Sequence, residues 1–116
     1  KKTAPMDENL KLLLNTLGMA RRAGDLTVGQ DHVFDRYRAH EKLLVILACD
    51  CSGTVLRKTR AAVERVEAST IALKDADRSV LGSFIGAQTA QIAALPAESG
   101  FAAKVLSLQD RSDAHE

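Results

Sequence analysis

Aromatic residues are scarce in this chain. Only 3% of its 116 residues are aromatic: three are Phe, one is Tyr and none is Trp. Proteins that bind single-stranded nucleic acid by stacking need several exposed rings as platforms for the bases. The composition therefore argues against a stacking-type RNA binder. It also means that a core must be built from Leu, Val, Ile and Ala.

An excess of charge of one sign is lacking too. The chain has 16 Lys and Arg against 15 Asp and Glu, a formal net charge of +1. This balance gives no global attraction for nucleic acid, so an anion site must depend on local basic clusters. Each such cluster is equally compatible with a solvated helix face. The clusters are Arg21/Arg22, Arg36/Arg38 and Arg57/Lys58/Arg60.

Cysteine, histidine and long apolar runs are also sparse. Cys49 and Cys51 lie near a predicted strand end, where side chains two residues apart point to opposite faces and a mutual disulfide is disfavoured. His32, His40 and His115 lack metal-ligand spacing, so neither zinc nor any cofactor is predicted. No signal peptide or membrane-length apolar run is recognisable, which predicts a cytoplasmic protein with no membrane partner.

Helix-like and strand-like patterns alternate along residues 10–108, which are predicted to form one domain. Residues 1–9 are expected to be the end of an interdomain linker, and residues 109–116 a polar tail. Strands separated by helices predict an α/β fold, a three-layer α/β/α sandwich with a four-stranded mixed sheet. Ser52 and Ser79 are the expected N-caps, and Gly24 and Gly86 the expected helix ends. The predicted helices are 8–23, 30–38, 53–66, 79–85 and 98–108, and the predicted strands are 26–28, 43–48, 69–73 and 89–95.

The most informative pattern lies in residues 17–29. A helix with Arg21 and Arg22 ends at Gly24, a short apolar strand follows, and Gly29 opens the next helix. A helix start offers unpaired N–H groups and the positive end of the helix dipole, which together favour phosphate. The pattern therefore indicates an anion site near Gly29.

Polar residues continue this pattern into the second helix. Gln30 or Asp31 can hydrogen-bond base edges, and Arg36 can contact a phosphate. The alternative is an ordinary helix start at which Asp31 only complements the dipole. Residues 74–82, polar and then apolar, either complete the same binding edge or form a plain surface connection.

A second pattern suggests a different chemistry. Cys51 precedes Arg57 with the spacing of cysteine-dependent phosphatases, in which a low-pKa thiolate attacks while helix N–H groups and the arginine hold the phosphoryl group. The bulky Val55-Leu56 pair is typical of a helix rather than a phosphate cradle, and no general acid completes the set. Asp50 lacks the acidic partners of a phospho-acceptor site and is expected to cap the following helix.

Three motifs resemble the ribosomal protein L7Ae/L30e superfamily, particularly its small bacterial YlxQ-type members. They are Leu-Gly-Met-Ala-Arg-Arg-Ala-Gly at 17–24, Ala-Cys-Asp-Cys-Ser at 48–52 and Val-Leu-Gly at 80–82, and the similarity covers residues 10–108. The resemblance implies an α/β/α sandwich that binds structured RNA, typically a kink-turn, with ribosomal RNA as a candidate partner. It also implies an N-terminal nucleic-acid-associated domain in the full-length protein.

The resemblance further implies that the start of the second helix enters the RNA, where the family has Gly-x-Asn-Glu-x-x-Lys. Gly29 matches this motif, but Asp31, His32 and Asp35 replace the Asn, Glu and Lys. Because Asp35 repels phosphate and Asp31 lacks the amide donor, a changed RNA specificity is expected.

The resulting prediction is a non-enzymatic RNA-binding domain, associated with the ribosome or another structured RNA. The Gly29 helix start and the 74–82 loop would dock on bent RNA. One alternative is a protein-interaction module on the same fold; the other is the phosphatase that uses Cys51 and Arg57. The predicted RNA-binding residues are Arg21, Arg22, Gly29, Gln30, Asp31, His32, Arg36, Lys74, Arg78, Leu81 and Gly82.

Overall fold

A four-stranded sheet with helices on both faces forms the part of the chain described by the structure, a computed structural model: residues 7–39, 41–65 and 69–114. Helices and strands alternate throughout this part. In chain order the elements are α1 (Glu8–Arg22), β1 (Thr27–Val28), α2 (Gln30–Arg38), β2 (Leu43–Leu47), α3 (Gly53–Arg65), β3 (Ser69–Ala72), α4 (Arg78–Ile85), β4 (Ile92–Pro96) and α5 (Gly100–Ala114).

The strand order in the sheet is β1-β4-β2-β3. β2 and β3 are parallel, with Leu44 opposite Ser69, whereas β4 is antiparallel to both β1 and β2. It follows that β1, β2 and β3 run in one direction and end at the same edge of the sheet, which we call the C-terminal edge. The helices α2, α3 and α4 all begin at this edge, so their first turns are brought near one another.

Side chains of the central strand β2 alternate between two apolar cores. Leu44 and Ile46 pack in the core formed with α1, α4 and α5. Leu43, Val45 and Leu47 pack in the core formed with α2 and α3. All five residues of β2 are buried, as expected for a continuous apolar run covered on both faces. The predicted α/β/α sandwich with a mixed four-stranded sheet is confirmed.

The sequence predicted the N-cap of α3 correctly and the N-cap of α4 incorrectly. Ser52 caps α3 as predicted, since its Oγ accepts a hydrogen bond of 3.2 Å from the Val55 amide. The predicted cap Ser79 is wrong because this residue lies inside α4. Asp77 caps that helix instead, accepting a 2.9 Å hydrogen bond from the Val80 amide.

Two element boundaries near the C-terminus also differ from the prediction. β4 begins at Ile92 rather than at residue 89, because residues 86–91 form a loop in which the Ala90 amide donates to the Arg78 carbonyl over 3.0 Å. α5 begins at Gly100 and continues to Ala114, past the predicted end at residue 108. Leu108, the last residue of the predicted helix, is buried in the core formed with α1, α4 and α5. The helix continues beyond it through a mostly polar stretch of sequence.

Candidate nucleic-acid interface

Gly29 makes the sharp connection from β1 into α2. Its φ is +97°, in the left-handed region that side chains rarely adopt. Its amide donates to the Ile92 carbonyl and its carbonyl accepts from the Val33 amide, both over 3.0 Å. The first-turn amides that follow have no acceptor within the helix, so they present donors at the C-terminal edge.

A groove of about 610 Å³ opens beside this helix start, and we call it the β1–α2 groove. It brings together Arg21, His32 and Arg36, three residues that the sequence predicted to bind RNA. Asp31 is exposed in the first turn of α2, and Arg22 is exposed at the end of α1. The groove is lined by Arg21, Leu26, Thr27, Val28, His32, Asp35, Arg36 and Ala87.

Charges in and around the groove are partly neutralised. Arg36 forms an ion pair with Glu41, with 2.9 Å between Nη1 and Oε1, and Arg38 forms one with Asp35. Arg21 donates instead to a neutral group, the Ile85 carbonyl, over 3.4 Å. Because exposed ion pairs contribute little free energy, a phosphate can compete with Glu41 for Arg36.

Lys74 lies away from the groove, contrary to the prediction. It lines a separate pocket with Asp7 and Leu10, at the start of α1, and with Leu108 of α5. The reason is the strand order: Lys74 follows β3, whereas Gly29 follows β1, and these strands form the two opposite edges of the sheet. The start of the 74–82 loop therefore does not border the β1–α2 groove.

Other predicted residues of this loop have structural partners. The Arg78 amide donates to Asp50 Oδ1 over 2.9 Å, and Arg78 Nη2 donates to the Asp50 carbonyl over 2.7 Å. Asp50 thus holds the start of α4 and does not cap α3, which corrects the expectation for that residue. Leu81 is fully buried and cannot touch RNA. Gly82 is buried too, and a Cβ there would lie 2.8 Å from the Thr89 Cα.

The loop at residues 86–91 borders the groove and was missed by sequence reasoning. Ala87 lines the groove, and the next two residues of the loop, Gln88 and Thr89, are exposed. Gln91 ties the loop to the segment before α3: its Oε1 accepts from the Ser52 amide over 2.6 Å, and its carbonyl accepts from the Ala48 amide over 2.9 Å. Gly86, at the left-handed end of α4, was the available signal for a loop here.

The phosphatase interpretation lacks an activated nucleophile. Burial, and next the Asp50 carboxylate, raise the pKa of the Cys51 thiol, although Arg78 acts in the opposite direction. A phosphatase cysteine needs a lowered pKa to attack as thiolate. Arg57 donates to the Thr54 hydroxyl over 3.5 Å, within its own helix.

Within the described residues, no group of three or more His, Cys, Asp or Glu side chains is arranged to hold a metal ion. His40 and His115 lie outside those residues. Nor does any helix in the described segments combine the length and apolar character needed to cross a bilayer.

The chain matches known proteins by structure but not by sequence or family model. No family model matches the chain, and no curated protein sequence matches it. Among solved structures 138 chains match, and a shared fold does not by itself fix a function.

Two of these structures are informative. A protein of unknown function from Bacillus halodurans superposes with a TM-score of 0.76 at 26% identity, covering 84% of this chain and 96% of its own. A 15.5 kD RNA-binding protein from Giardia lamblia superposes with a TM-score of 0.73 at 15% identity, covering 95% of this chain and 92% of its own. Together with the sheet topology, these similarities confirm the L7Ae/L30e-like fold that the sequence predicted.

Proposed function

We propose that this chain is a non-enzymatic RNA-binding domain that recognises a bent, structured RNA through the β1–α2 groove. The observation that carries the proposal is the convergence of Arg21, His32 and Arg36 on the groove beside the Gly29 helix start. The fold shared with the Giardia RNA-binding protein supports it. So does the sequence resemblance to a superfamily that binds structured RNA.

Each part of the groove has a distinct task in this proposal. The first-turn amides of α2 and the guanidinium groups of Arg21 and Arg36 hold phosphate oxygens, with Arg22 as a flanking contact. Gln30, Asp31 and His32 meet base edges, and Gly29 lets the RNA approach the backbone closely. The exposed residues Gln88 and Thr89, which follow Ala87 in the 86–91 loop, add polar contacts to the RNA.

The site is specified by shape more than by charge. The ion pairs Arg36–Glu41 and Arg38–Asp35 leave a modest positive potential, and Asp31 adds a negative charge at the helix start. A straight duplex offers only backbone charge to such a surface. A bent RNA also exposes base edges to the helix start, so it is the preferred ligand.

Fluorescence anisotropy with three labelled RNAs tests this function: a kink-turn, a plain duplex and a pool of ribosomal RNA fragments. The measurement is made at two salt concentrations, because phosphate contacts weaken as salt increases. We expect the kink-turn or a member of the pool to bind more tightly than the duplex. Equal affinity for all three contradicts recognition of a bent RNA.

A triple substitution locates the site. Gln30→Ala, His32→Ala and Arg36→Ala together are expected to weaken binding by about tenfold or more. The matched control replaces Asn15, Lys104 and Ser107 by Ala; these residues are exposed on α1 and α5, across the sheet from α2, and the change removes the same formal charge. Equal affinities of the two variants would rule out the β1–α2 groove as the site.

A second candidate function is a protein-interaction module. The pairing of Arg36 with Glu41 and of Arg38 with Asp35 favours it, because each pair occupies a cation that would otherwise attract phosphate. Absence of RNA binding at low salt, where phosphate contacts are strongest, would support this function instead.

A further inference from the structure

Helix α3 carries three exposed cations within little more than one turn. Arg57, Lys58 and Arg60 all face solvent, and the sequence has no Asp or Glu between residues 53 and 63. Val55 and Thr59 are buried against the sheet, which fixes the rotation of the helix. Arg57 lies two residues from each of them and is therefore on the outer side, with Arg60 one turn further along.

Arg57 and Lys58 contact neutral groups. Arg57 Nη2 donates to the Thr54 hydroxyl over 3.5 Å, and Lys58 Nζ lies 5.9 Å from the centroid of the Phe34 ring. By contrast, Arg36, Arg38 and Arg78 are paired with carboxylates. The formal net charge of +1 thus conceals an uneven distribution, in which positive charge is concentrated on α3.

Helix α3 adjoins the side of α2 that faces away from the β1–α2 groove, because Phe34 lies two residues from both His32 and Arg36. Phe34 of α2 and Val55 of α3 pack in one core on the same face of the sheet, and Lys58 covers the Phe34 ring. Phe34 is four residues into α2 and Lys58 five residues into α3, so these positions lie about 6–8 Å from the two helix starts. Both starts are at the C-terminal edge, and the basic turn of α3 therefore lies across the start of α2 from the groove.

We propose that the outer face of α3, centred on Arg57 and Arg60, is a second RNA contact that binds the phosphate backbone of a stem extending from the bend. This inference rests on the proposed function, because it takes the RNA to be docked in the groove. The contact is independent of sequence, since guanidinium groups recognise phosphate oxygens and the bases of the stem remain paired. Lys58 adds a third cation at the side of the helix next to α2.

Two RNAs that share the same bent element test the proposal. One has stems that end at the groove, and the other has stems longer by about one helical turn. The variant is Arg57→Gln/Arg60→Gln, and the matched control is Lys11→Gln/Lys104→Gln, which removes the same formal charge from exposed positions on α1 and α5. A second variant, Arg57→Lys/Arg60→Lys, keeps the charge. Circular dichroism verifies that every variant is folded.

We expect Arg57→Gln/Arg60→Gln to weaken binding of the long RNA by about tenfold at low salt. The slope of log affinity against log salt falls by about 2, because two phosphate contacts are lost. Affinity for the short RNA is unchanged, and the control and charge-retaining variants bind both RNAs as the unsubstituted protein does. Equal binding of the long RNA by variant and control would overturn the α3 contact and leave the groove intact. Failure of the unsubstituted protein to bind either RNA would overturn both proposals.

Discussion

Gly82 determines how closely α4 approaches the loop that borders the groove. A Cβ at this position would lie 2.8 Å from the Thr89 Cα and 2.9 Å from the carbonyl oxygens of Ala87 and Gln88. These are backbone atoms, so relief requires movement of the 86–91 loop. The glycine therefore acts on the proposed RNA site through packing, although its own atoms are buried.

Gly82→Ala is accordingly expected to lower the free energy of unfolding by about 1–3 kcal/mol, the usual cost of overpacking. Urea unfolding followed by circular dichroism measures the change. Gly100→Ala is the control, since a Cβ there meets nothing within 4 Å and alanine favours the helix. The interpretation fails if the two variants are equally stable.

The Cys51 thiol gives a second prediction at the scale of single residues. Its pKa is raised, chiefly by burial, so the folded protein holds this proton more tightly than the unfolded chain does. The resulting stabilisation is present at neutral pH. It is lost as pH rises from the pKa of a free thiol, about 8.5, through the higher pKa of the folded state.

Alkylation of a Cys49→Ser variant with iodoacetamide measures this effect at Cys51 alone. Near the pKa of a free thiol, the folded protein should react more slowly than the same variant unfolded in urea, because less thiolate is present. A faster reaction in the folded state would restore the phosphatase interpretation, in which this cysteine is an activated nucleophile.

Each of the three helices that begin at the C-terminal edge starts with a different local structure. α2 begins at the left-handed Gly29, α3 is capped by Ser52, and α4 is capped by Asp77 and held by Asp50. Ser52, Asp77 and Asp50 each accept a hydrogen bond from a backbone amide at a helix start.

Asp77→Ala is expected to destabilise the protein by about 1 kcal/mol, the typical cost of losing an N-cap. Ser79→Ala tests the competing assignment. Its hydroxyl is no cap of α4, so its removal should change the melting temperature little. The assignment would be reversed if Ser79→Ala were the more destabilising change in thermal unfolding.

Most element positions were predictable from the sequence, because apolar periodicity and glycine report on local conformation. The bounds of α2 and the central strand β2 are recovered within a residue. The choice between Asp77 and Ser79 as cap was not predictable, since both are good N-cap residues two positions apart. The loop at 86–91 was missed because Thr89 and the apolar residues after it resemble the beginning of a strand.

For the molecule as a whole, strand order decided which predicted site residues meet. Arg21, His32 and Arg36 converge, although they come from two helices. Lys74 was assigned to the same site on sequence grounds, but it follows the strand at the opposite edge of the sheet. Strand order depends on long-range pairing, which local patterns do not encode. Burial of Leu81 depends likewise on the packing of α4 against α1.

The shortness of β1 has a consequence for hydrogen exchange. This edge strand has two residues, Thr27 and Val28, both half-buried, whereas all five residues of β2 are buried between two neighbouring strands. Local opening of β1 with the start of α2 therefore requires less free energy than global unfolding, and the Gly29 amide exchanges with solvent sooner than the Ile46 amide. A ligand that binds only the closed form protects Gly29 selectively. We therefore expect the protein to lose its proposed binding groove, on heating or in mild denaturant, while its central sheet is still folded.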